Sequence, residues 1–353
     1  MLTLVPGVSG GSETYARELC RALARSGGLS YRALVPAIAP DAGDGLPREV
    51  VHEHLSSTRT AGRLLGLALT AARPGPVRRR LAGCDVVHYP LTVPLPPVRA
   101  RTVVTLHDVQ HIDLAQLFSR AQRAWRRHAY DRAAARADAV VVVSEFVRGR
   151  AVATLGLDPS RVHVVPSGVD QERFSPGTGG SAAREPLLLY PARPWPHKNH
   201  GRLLEAFALL RARHPELRLV LTGAGSERLA GIPGVEARGT VSGDELVALY
   251  RRAACLVFPS LYEGFGLPPL EAMACGCPVA AARSGALPEV CGEAAILFDP
   301  RDPAAIAAGV EDALARAEEL RTLGLVHVAG FSWDAAARGH DAVYRAALAS
   351  TRS

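Results

Sequence analysis

Two glutamates separated by seven residues, Glu263 and Glu271, enclose a glycine-containing turn and a Pro-Pro pair in the segment S-L-Y-E-G-F-G-L-P-P-L-E-A-M-A-C-G-C-P-V. Proline is favoured at the first position of a helix and glycine just past the last, so the segment predicts a helix that begins at Pro268 or Pro269 and ends at Gly276, with Glu271 in its first turn. The turn before that helix would present free amides and the positive end of the helix dipole, which suits a phosphate. The two carboxylates would then accept hydrogen bonds from hydroxyl groups on both flanks of a diphosphate, as in a nucleotide sugar. The spacing equally fits a carboxylate that complements the helix dipole beside an unrelated surface residue.

The chain holds 40 arginines and a single lysine, Lys198, in the segment P-A-R-P-W-P-H-K-N. A lysine retained among so many arginines indicates a site that needs a compact charge on a flexible stem, such as a phosphate oxygen in a narrow pocket. Chance survival of a surface lysine is the alternative. Residues 187–190 predict a strand and 199–213 a helix, so Arg193 and Lys198 fall in a loop at the carboxyl end of a strand, where parallel α/β sheets bind ligands.

Both segments resemble the retaining glycosyltransferases of family 4 (glycosyl transferases group 1), typified by bacterial α-mannosyl- and α-glucosyltransferases. The E-x7-E spacing matches their signature, and the match continues through A-L-P-E-V at 286–290 and G-E-A-A at 292–295. The resemblance implies that Glu263 acts at the sugar, that Glu271 binds the ribose hydroxyls, and that Arg193 and Lys198 hold the donor diphosphate. It also implies further donor-binding residues: Gly10, Gly11, Val241, Gly264, Phe265, Gly266 and Leu267.

A His-Asp pair, His107-Asp108, ends a predicted buried strand. A lone histidine in such a position is more often a hydrogen-bonded core residue than a catalytic one. Members of the family carry the same pair near the donor sugar, so the resemblance implies that His107 is a second catalytic residue, one that polarises or orients the sugar and is not a nucleophile. The strand predicted before Gly10, at 2–5, is shorter than the family's usual first strand, which leaves open whether this is the native start.

Length and composition predict a two-domain protein of the cytoplasm. The chain has 353 residues, more than one hydrophobic core usually holds, and 48% of them are hydrophobic. No apolar run approaches the length of a membrane span, and no signal peptide is recognised at the first residues. The six cysteines lack a paired C-x-x-C pattern, so we expect reduced, buried thiols and no metal site.

The net charge of +7 is concentrated in the first half of the chain. Residues 1–178 carry 23 Lys+Arg against 15 Asp+Glu, and the excess lies mainly at 73–80 and 120–136. Such a surface suits anionic lipid headgroups or a diphosphate-bearing acceptor, and a solvated arginine-rich helix face is the alternative. Nucleic acid is not an expected partner, because no recognition motif accompanies the charge.

Short β-like runs alternate with helical patterns throughout, which predicts an α/β fold with parallel sheets. Together with the resemblance, this pattern predicts the GT-B fold: two Rossmann-like lobes that face a cleft, with a C-terminal helix crossing back to the first lobe. The predicted domains are an acceptor-binding lobe at 1–178, a nucleotide-sugar-binding lobe at 179–330, and the C-terminal helix at 331–353. The Gly/Ser/Pro-rich segment at 175–183 is the predicted linker. The predicted strands lie at 2–5, 31–35, 50–54, 85–88, 102–106, 139–143, 162–165, 187–190, 217–222, 235–238, 255–258, 278–281 and 295–298.

The predicted function is that of a retaining hexosyltransferase acting in polysaccharide or lipid-linked glycan assembly. The resemblance favours mannose from GDP-mannose, then glucose from UDP-glucose, with a glycan, lipid-linked or small-molecule acceptor. No cofactor is expected besides the substrate nucleotide sugar, since no D-x-D triplet is present to hold a metal. The expected location is the cytoplasm, with peripheral contact to the inner face of the cell membrane through the basic first lobe. Two alternatives remain: a non-catalytic nucleotide-sugar-binding partner subunit, and a sugar-nucleotide epimerase on the same fold.

Overall fold

The computed structural model describes residues 1–8, 10–177 and 184–350. Most of the predicted linker at 175–183 lies outside these residues. The chain divides into two compact units, Met1–Gly168 with Trp333–Ser353, and Val169–Ser332. The division precedes the predicted boundary at 178 because Val169 donates a backbone hydrogen bond to Phe331, and the Gln171 side chain donates to the carbonyl of Val328, both within the second unit.

The first unit alternates strands and helices along the chain, as the sequence predicts. Its elements in the first stretch of chain are α1 (Gly11–Ser26), β1 (Ala33–Pro36), β2 (Arg48–Val51), α2 (Thr60–Ala72), α3 (Gly75–Arg80), β3 (Val86–Tyr89), β4 (Arg101–Leu106), α4 (Gln110–Asp113), α5 (Arg120–Arg126), α6 (Arg132–Arg136), β5 (Ala139–Val142), α7 (Glu145–Leu155) and β6 (Val162–Val164). A π-helical turn, Arg127–Asp131, joins α5 to α6. Strands β3–β6 form a parallel sheet in sequence order, and β1 pairs with β2 in a separate parallel pair.

The strand predicted at 2–5 is wrong. Leu2 and Leu4 are buried, so the apolar character of the segment is used in the core. Their backbone instead forms turns, in which the amide of Leu4 bonds to the carbonyl of Met1 and the amide of Val8 to that of Val5. The apolar residues of this segment are buried as those of a strand would be, but its backbone hydrogen bonds are local turns.

The second unit is a six-stranded parallel sheet covered by helices. Its elements are β7 (Glu185–Pro191), α8 (His200–Arg213), β8 (Arg218–Thr222), β9 (Val235–Gly239), α9 (Gly243–Arg252), β10 (Ala253–Phe258), α10 (Leu267–Ala274), β11 (Val279–Ala282), α11 (Leu287–Cys291), β12 (Ile296–Phe298), α12 (Pro303–Ala315) and α13 (Ala317–Val328). The strand order is β12-β11-β10-β7-β8-β9. After β9 the chain crosses to the other side of β7, so the order reverses between β7 and β10. Ligands of open α/β sheets bind at such a reversal, beyond the carboxyl ends of the strands.

The last helix, α14 (Trp333–Ala349), belongs to the first unit and packs against α1, as predicted. The Tyr15 hydroxyl on α1 lies 2.7 Å from Nε2 of His340 on α14 and 3.0 Å from Thr105 on β4. All three side chains are buried. Among the described residues, no helix combines the length and the apolar character needed to cross a membrane.

Candidate functional site

The predicted site residues Lys198 and Glu263 touch each other. Lys198 lies in the loop after β7 and Glu263 in the loop after β10, and these two strands are neighbours in the sheet. Their side chains form an ion pair, with the Lys198 ammonium 2.6 Å from a Glu263 carboxylate oxygen, and they are only 15% and 14% exposed. The ammonium also lies 5.4 Å from the ring centre of Phe258. Parallel strands thus bring together two charges that are far apart in the sequence.

The backbone of Glu263 is held by the turn that follows β11. The Glu263 carbonyl accepts a hydrogen bond from the amide of Ala286 at 2.9 Å. Gly285 approaches so closely that a Cβ there would lie 2.5 Å from the same carbonyl oxygen, and its φ of +57° favours glycine. The Ser284 hydroxyl donates to the carbonyl of Ser260 at 2.6 Å. The turn after β11 therefore fixes the backbone from which the Glu263 carboxylate extends.

Helix α10 begins beside this carboxylate. It starts at Leu267, one residue before the earliest predicted start, and ends at Ala274, with Gly276 in the left-handed region two residues later. Gly266 precedes it with a φ of +115°, and no side chain caps the helix start. The first four amide positions of a helix have no acceptor within it and can bind an anion. In α10 two of these positions are Pro268 and Pro269, which have no N–H, so the helix start offers the amides of Gly266 and Leu267.

Glu271 lies in the second turn of α10, and the predicted place in the first turn is wrong because the helix starts at Leu267. One of its carboxylate oxygens accepts a hydrogen bond from the Tyr250 hydroxyl at 2.9 Å. Tyr250 is completely buried, and burial together with the negative charge of Glu271 raises the pKa of its hydroxyl well above the usual value. The hydroxyl therefore stays protonated and holds the Glu271 carboxylate in one orientation.

Arg193 and Val241 lie along the same carboxyl edge of the sheet. Arg193 is partly buried after β7, and its guanidinium lies 5.5 Å from the ring centre of Trp195. The loop after β8 approaches it closely, because a Cβ on Gly223 would lie 2.9 Å from the Arg193 amide. Val241 follows the outer strand β9 and precedes Ser242, which caps α9 by accepting from the amide of Glu245. The Glu245 carboxylate pairs with Arg238 at 3.0 Å.

The predicted residues His107, Gly10 and Gly11 belong to the first unit. His107 follows β4, and its Nε2 donates to the carbonyl of Pro90 at 2.8 Å, with the Tyr15 ring edge-on at 4.8 Å. Burial lowers the pKa of His107, and the Pro90 carbonyl opposes that shift only in part. The ring is therefore neutral at physiological pH, with Nδ1 as its acceptor atom. Gly10, with a φ of +57°, precedes the first residue of α1, Gly11.

Three residues that the sequence analysis did not single out support the site. Tyr250 orients Glu271, and Gly285 admits the backbone of Glu263, as described above. Asn199 follows Lys198 in the left-handed conformation, and its buried side-chain amide donates to the carbonyls of Pro259 at 3.1 Å and Pro300 at 2.7 Å. Asn199 thereby locks the loop after β7 onto the loops after β10 and β12. The asparagine directly after Lys198 could have predicted a left-handed residue at this point of the loop, since asparagine adopts positive φ more readily than most residues with a Cβ.

Metal-binding side chains do not converge anywhere in the part of the chain that the structure describes. No group of three His, Cys, Asp or Glu residues there could hold a metal ion. The cysteines are free thiols, and burial raises the pKa of Cys291 to about 12. Burial raises the pKa of the other buried thiols as well, Cys20, Cys255, Cys275 and Cys277, so these five are protonated members of the core, whereas Cys84 is partly exposed.

Comparisons with known proteins cover both units. Residues 9–173 match the family model Glycosyltransferase Family 4, and residues 185–316 match Glycosyl transferases group 1. A relative from Mycolicibacterium hassiacum, an MMP α-(1→4)-mannosyltransferase, is 37% identical over 60% of this chain and 54% of its own length. The chain spans about half the length of the first curated relatives that it matches.

Solved structures share the fold over nearly the whole chain. A sucrose-phosphate synthase from Thermosynechococcus elongatus superimposes with a TM-score of 0.80 at 24% identity, covering 97% of this chain and 94% of that one. HepE from Anabaena, solved in complex with UDP-glucose, gives a TM-score of 0.69 at 18% identity, covering 95% and 96% of the two chains. The fold is that of the GT-B glycosyltransferases.

Proposed function

Because the chain belongs to the glycosyltransferases of the family-4 type, we propose that it is a retaining hexosyltransferase that takes its hexose from a nucleotide sugar. The observation that carries this proposal is the Lys198–Glu263 pair beside the start of α10. A cation, the backbone amides of Gly266 and Leu267 and a carboxylate on one edge of a sheet match the needs of a diphosphate joined to a sugar. The ion pair keeps both charges in place before the donor arrives.

Departure of the nucleoside diphosphate is assisted by positive charge already in position. Lys198 turns from Glu263 to a phosphate oxygen, and Arg193 contacts the diphosphate. The backbone amides of Gly264, Phe265, Gly266 and Leu267, before and at the start of α10, surround it. Preorganised donors of this kind stabilise the developing charge by several kcal/mol in enzymes of many classes. The reaction proceeds without a metal ion, as the family resemblance implies.

The sugar and the nucleoside are held by separate carboxylates. Glu263, released by Lys198, accepts hydrogen bonds from sugar hydroxyls and stabilises the positive charge that develops at the anomeric carbon. Glu271, held by Tyr250, accepts from the ribose hydroxyls, and Val241 borders the nucleobase. Nδ1 of the neutral His107 accepts a hydrogen bond from a sugar hydroxyl. As the family resemblance implies, Gly10 and Gly11 also bind the donor phosphates.

We favour GDP-mannose as the donor, with UDP-glucose second. The mannosyltransferase relative supports the first, and the UDP-glucose complex of HepE supports the second. The acceptor is a glycan, a lipid-linked sugar or a small molecule. Attack occurs on the face that the diphosphate leaves, with a donor phosphate oxygen taking the acceptor proton, so the anomeric configuration is retained. The protein acts in the cytoplasm, at the inner face of the cell membrane.

The test is a panel of GDP-, UDP- and dTDP-sugars in excess EDTA, followed for binding by calorimetry and for slow hydrolysis by anomer-resolved NMR. We expect one donor to bind and to be hydrolysed with its α-configuration retained, and Glu263→Ala and Lys198→Ala to abolish hydrolysis. Glu216→Ala, at an exposed glutamate of the same unit, is the matched control. Binding without hydrolysis, even with acceptors added, would favour a non-catalytic partner subunit. Conversion of the bound sugar to its epimer would favour an epimerase, and absence of binding to every donor would contradict the proposal.

A further inference from the structure

Helix α2 turns an apolar face towards solvent. Its most exposed large side chains are Leu64, Leu65 and Leu69, at 50%, 53% and 47% exposure. The alanines of the helix are exposed as well: Ala61, Ala68, Ala71 and Ala72. The helix contains no acidic residue, and its one charged residue is Arg63. A surface helix normally shows the opposite pattern, with its apolar stripe inward and its polar face outward.

The polar side of α2 is the side that packs on the protein. Thr70 is buried and hydrogen-bonds to Nδ1 of His54 at 2.8 Å, which is also buried. Gly66 lies against the backbone of Leu55, where a Cβ would collide with the Leu55 carbonyl. These two contacts fix the rotation of the helix, so the outward position of its leucines is imposed by its packing.

Unneutralised arginines border this apolar face. A cavity of about 620 Å³ lies between α2 and the α5–α6 segment, lined by Leu67, Ala68 and Ala71 on one side. The other side contributes Trp125, His128, Arg132 and Arg136. Arg132 and Arg136 are exposed, as are Arg120 and Arg127 of the same segment, and within the described residues none of the four forms an ion pair with a carboxylate. Trp125 is itself partly exposed beside them.

We propose that α2 and the Arg120–Arg136 segment form a docking surface for a bilayer that contains anionic phospholipid. Exposed leucines gain free energy when they enter the boundary between headgroups and acyl chains, and the arginines gain from the negative surface charge. Tryptophan is favoured at that same boundary. Helix α2 has 13 residues, too few to span the hydrocarbon core, so it lies in the plane of the membrane surface. The arginines favour this occupant over a second copy of the chain, whose docking surface would carry the same positive charge.

The experiment is co-sedimentation of the full chain with vesicles of phosphatidylcholine alone and with phosphatidylglycerol added. We expect binding to the anionic vesicles only, weakened by added salt. Leu64→Ser/Leu65→Ser/Leu69→Ser should weaken binding by about tenfold or more. Three exposed leucines elsewhere supply the matched control, Leu209→Ser/Leu323→Ser/Leu348→Ser, which should bind like the parent chain.

The charge contribution is tested with Arg132→Gln/Arg136→Gln against the exposed pair Arg228→Gln/Arg338→Gln. We expect only the first pair to reduce both the affinity and its salt dependence. Equal binding to neutral and anionic vesicles, or equal losses in the two leucine triples, would overturn the proposal. Sedimentation velocity without lipid tests the alternative that α2 binds a second copy of the chain. If the parent chain were a dimer and only Leu64→Ser/Leu65→Ser/Leu69→Ser dissociated it, the apolar face would be a dimer interface and the membrane proposal would be overturned.

Discussion

At the scale of single residues, the hydrogen bond between Tyr250 and Glu271 tests the nucleoside-binding role that we propose for Glu271. Tyr250→Phe removes only the hydroxyl that holds the carboxylate at 2.9 Å. A hydrogen bond to a charged group contributes about 1.5–3 kcal/mol, so we expect donor and free nucleoside diphosphate to bind about ten- to a hundredfold more weakly. The rate at which bound donor is hydrolysed should change little. Calorimetry and single-turnover kinetics measure the two effects.

Tyr344→Phe is the control for this substitution, because it removes a buried hydroxyl that bonds to His88 in the first unit. Its nucleotide affinity should match that of the parent chain. If Tyr250→Phe left nucleoside diphosphate affinity unchanged, Glu271 would not be a ribose ligand held by Tyr250.

Gly285 offers a second prediction at this scale. A methyl group at Gly285 would meet both the amide and the carbonyl of Glu263, and the residue has positive φ. We expect Gly285→Ala to reduce the free energy of unfolding by about 1–3 kcal/mol and to lower turnover further than this loss explains, since Glu263 must move. Urea unfolding and donor hydrolysis measure the two quantities.

Gly201→Ala is the matched control, because Gly201 is a glycine of α8 with open space around its Cβ position. It should be neutral or slightly stabilising, since alanine favours a helix. A Gly285→Ala variant with normal stability and turnover would show that the turn after β11 does not position Glu263.

Lys198, Glu263 and Glu271 could be proposed as site residues from the sequence because each lies in a segment with its own chemical signature. It did not predict that Lys198 and Glu263 pair with each other, since that contact depends on β7 and β10 lying side by side. The role of Tyr250 could not be predicted for the same reason. It belongs to α9, and nothing in that helix indicates that its hydroxyl reaches α10. Long-range pairing is a property of the sheet order, which single motifs do not contain.

At the scale of elements, one arginine joins the ends of α9 and α10. The Arg184 guanidinium donates to the carbonyl of Tyr250, in the last turn of α9, and to that of Ala253, directly after it, at 2.8 Å each. It also donates to the carbonyls of Cys275 and Gly276, after α10, at 3.0 and 2.5 Å. The last carbonyls of a helix lack partners within it and carry the negative end of its dipole. Arg184 therefore satisfies both helix ends at once.

We expect Arg184→Lys to lower the free energy of unfolding by about 1–3 kcal/mol, because an ammonium cannot reproduce the planar set of donors. Guanidinium unfolding of the full chain measures this loss. Arg228→Lys, at an exposed arginine of the same unit, should change stability by less than about 0.5 kcal/mol. Equal stabilities of the two variants would show that the four hydrogen bonds from Arg184 add nothing to the free energy of unfolding.

Regular elements were the part of the fold best predicted from the sequence. From Ala33 onwards the strand bounds were predicted to within two residues, because β-branched runs between helical patterns mark buried parallel strands. The exception is β2, whose predicted end at 54 lies three residues past Val51. The segment 2–5 failed because it has the composition of a strand while its backbone bonds locally. The apolar outward face of α2 was also not predicted, since periodicity identifies an apolar side without saying which side faces the core.

At the scale of the whole molecule, a directed chain of buried hydrogen bonds ties the C-terminal helix to the first unit. Tyr344 donates to Nδ1 of His88, whose Nε2 donates to Thr105 at 2.8 Å. Thr105 donates to Tyr15, and Tyr15 donates to Nε2 of His340. Nδ1 of His340 then donates to the Ala336 carbonyl at 2.7 Å. This order of donors requires both histidines to be neutral, and it joins α1, β3, β4 and α14.

Neutral buried histidines make the stability of this unit depend on pH. Burial lowers the pKa of His340 to about 4, with partial opposition from the Ala336 carbonyl and Asp341, and lowers the pKa of His88 well below 6.5. Above pH 6.5 both rings are neutral in the folded and unfolded chain, so they do not make the free energy of unfolding depend on pH there. Between pH 6.5 and 4 the unfolded chain takes up protons that the folded chain excludes. The free energy of unfolding should therefore fall by about 1.4 kcal/mol per pH unit for each such histidine and level off once the folded ring is protonated.

Trp333 on α14 reports this transition, because its ring lies 6.0 Å from that of Tyr15. In a Trp125→Phe/Trp195→Phe background, Trp333 is the one remaining tryptophan of the chain, and its fluorescence follows urea unfolding of the first unit from pH 7.5 to 4.5. His340→Gln should lower stability at pH 7.5, because the Tyr15 bond is disturbed, and should reduce the slope below pH 6.5. His52→Gln, at an exposed histidine, should change neither. A slope unaltered by His340→Gln would mean that His340 is protonated in the folded chain, and the donor order of the network would then have to run in the opposite direction from Tyr15.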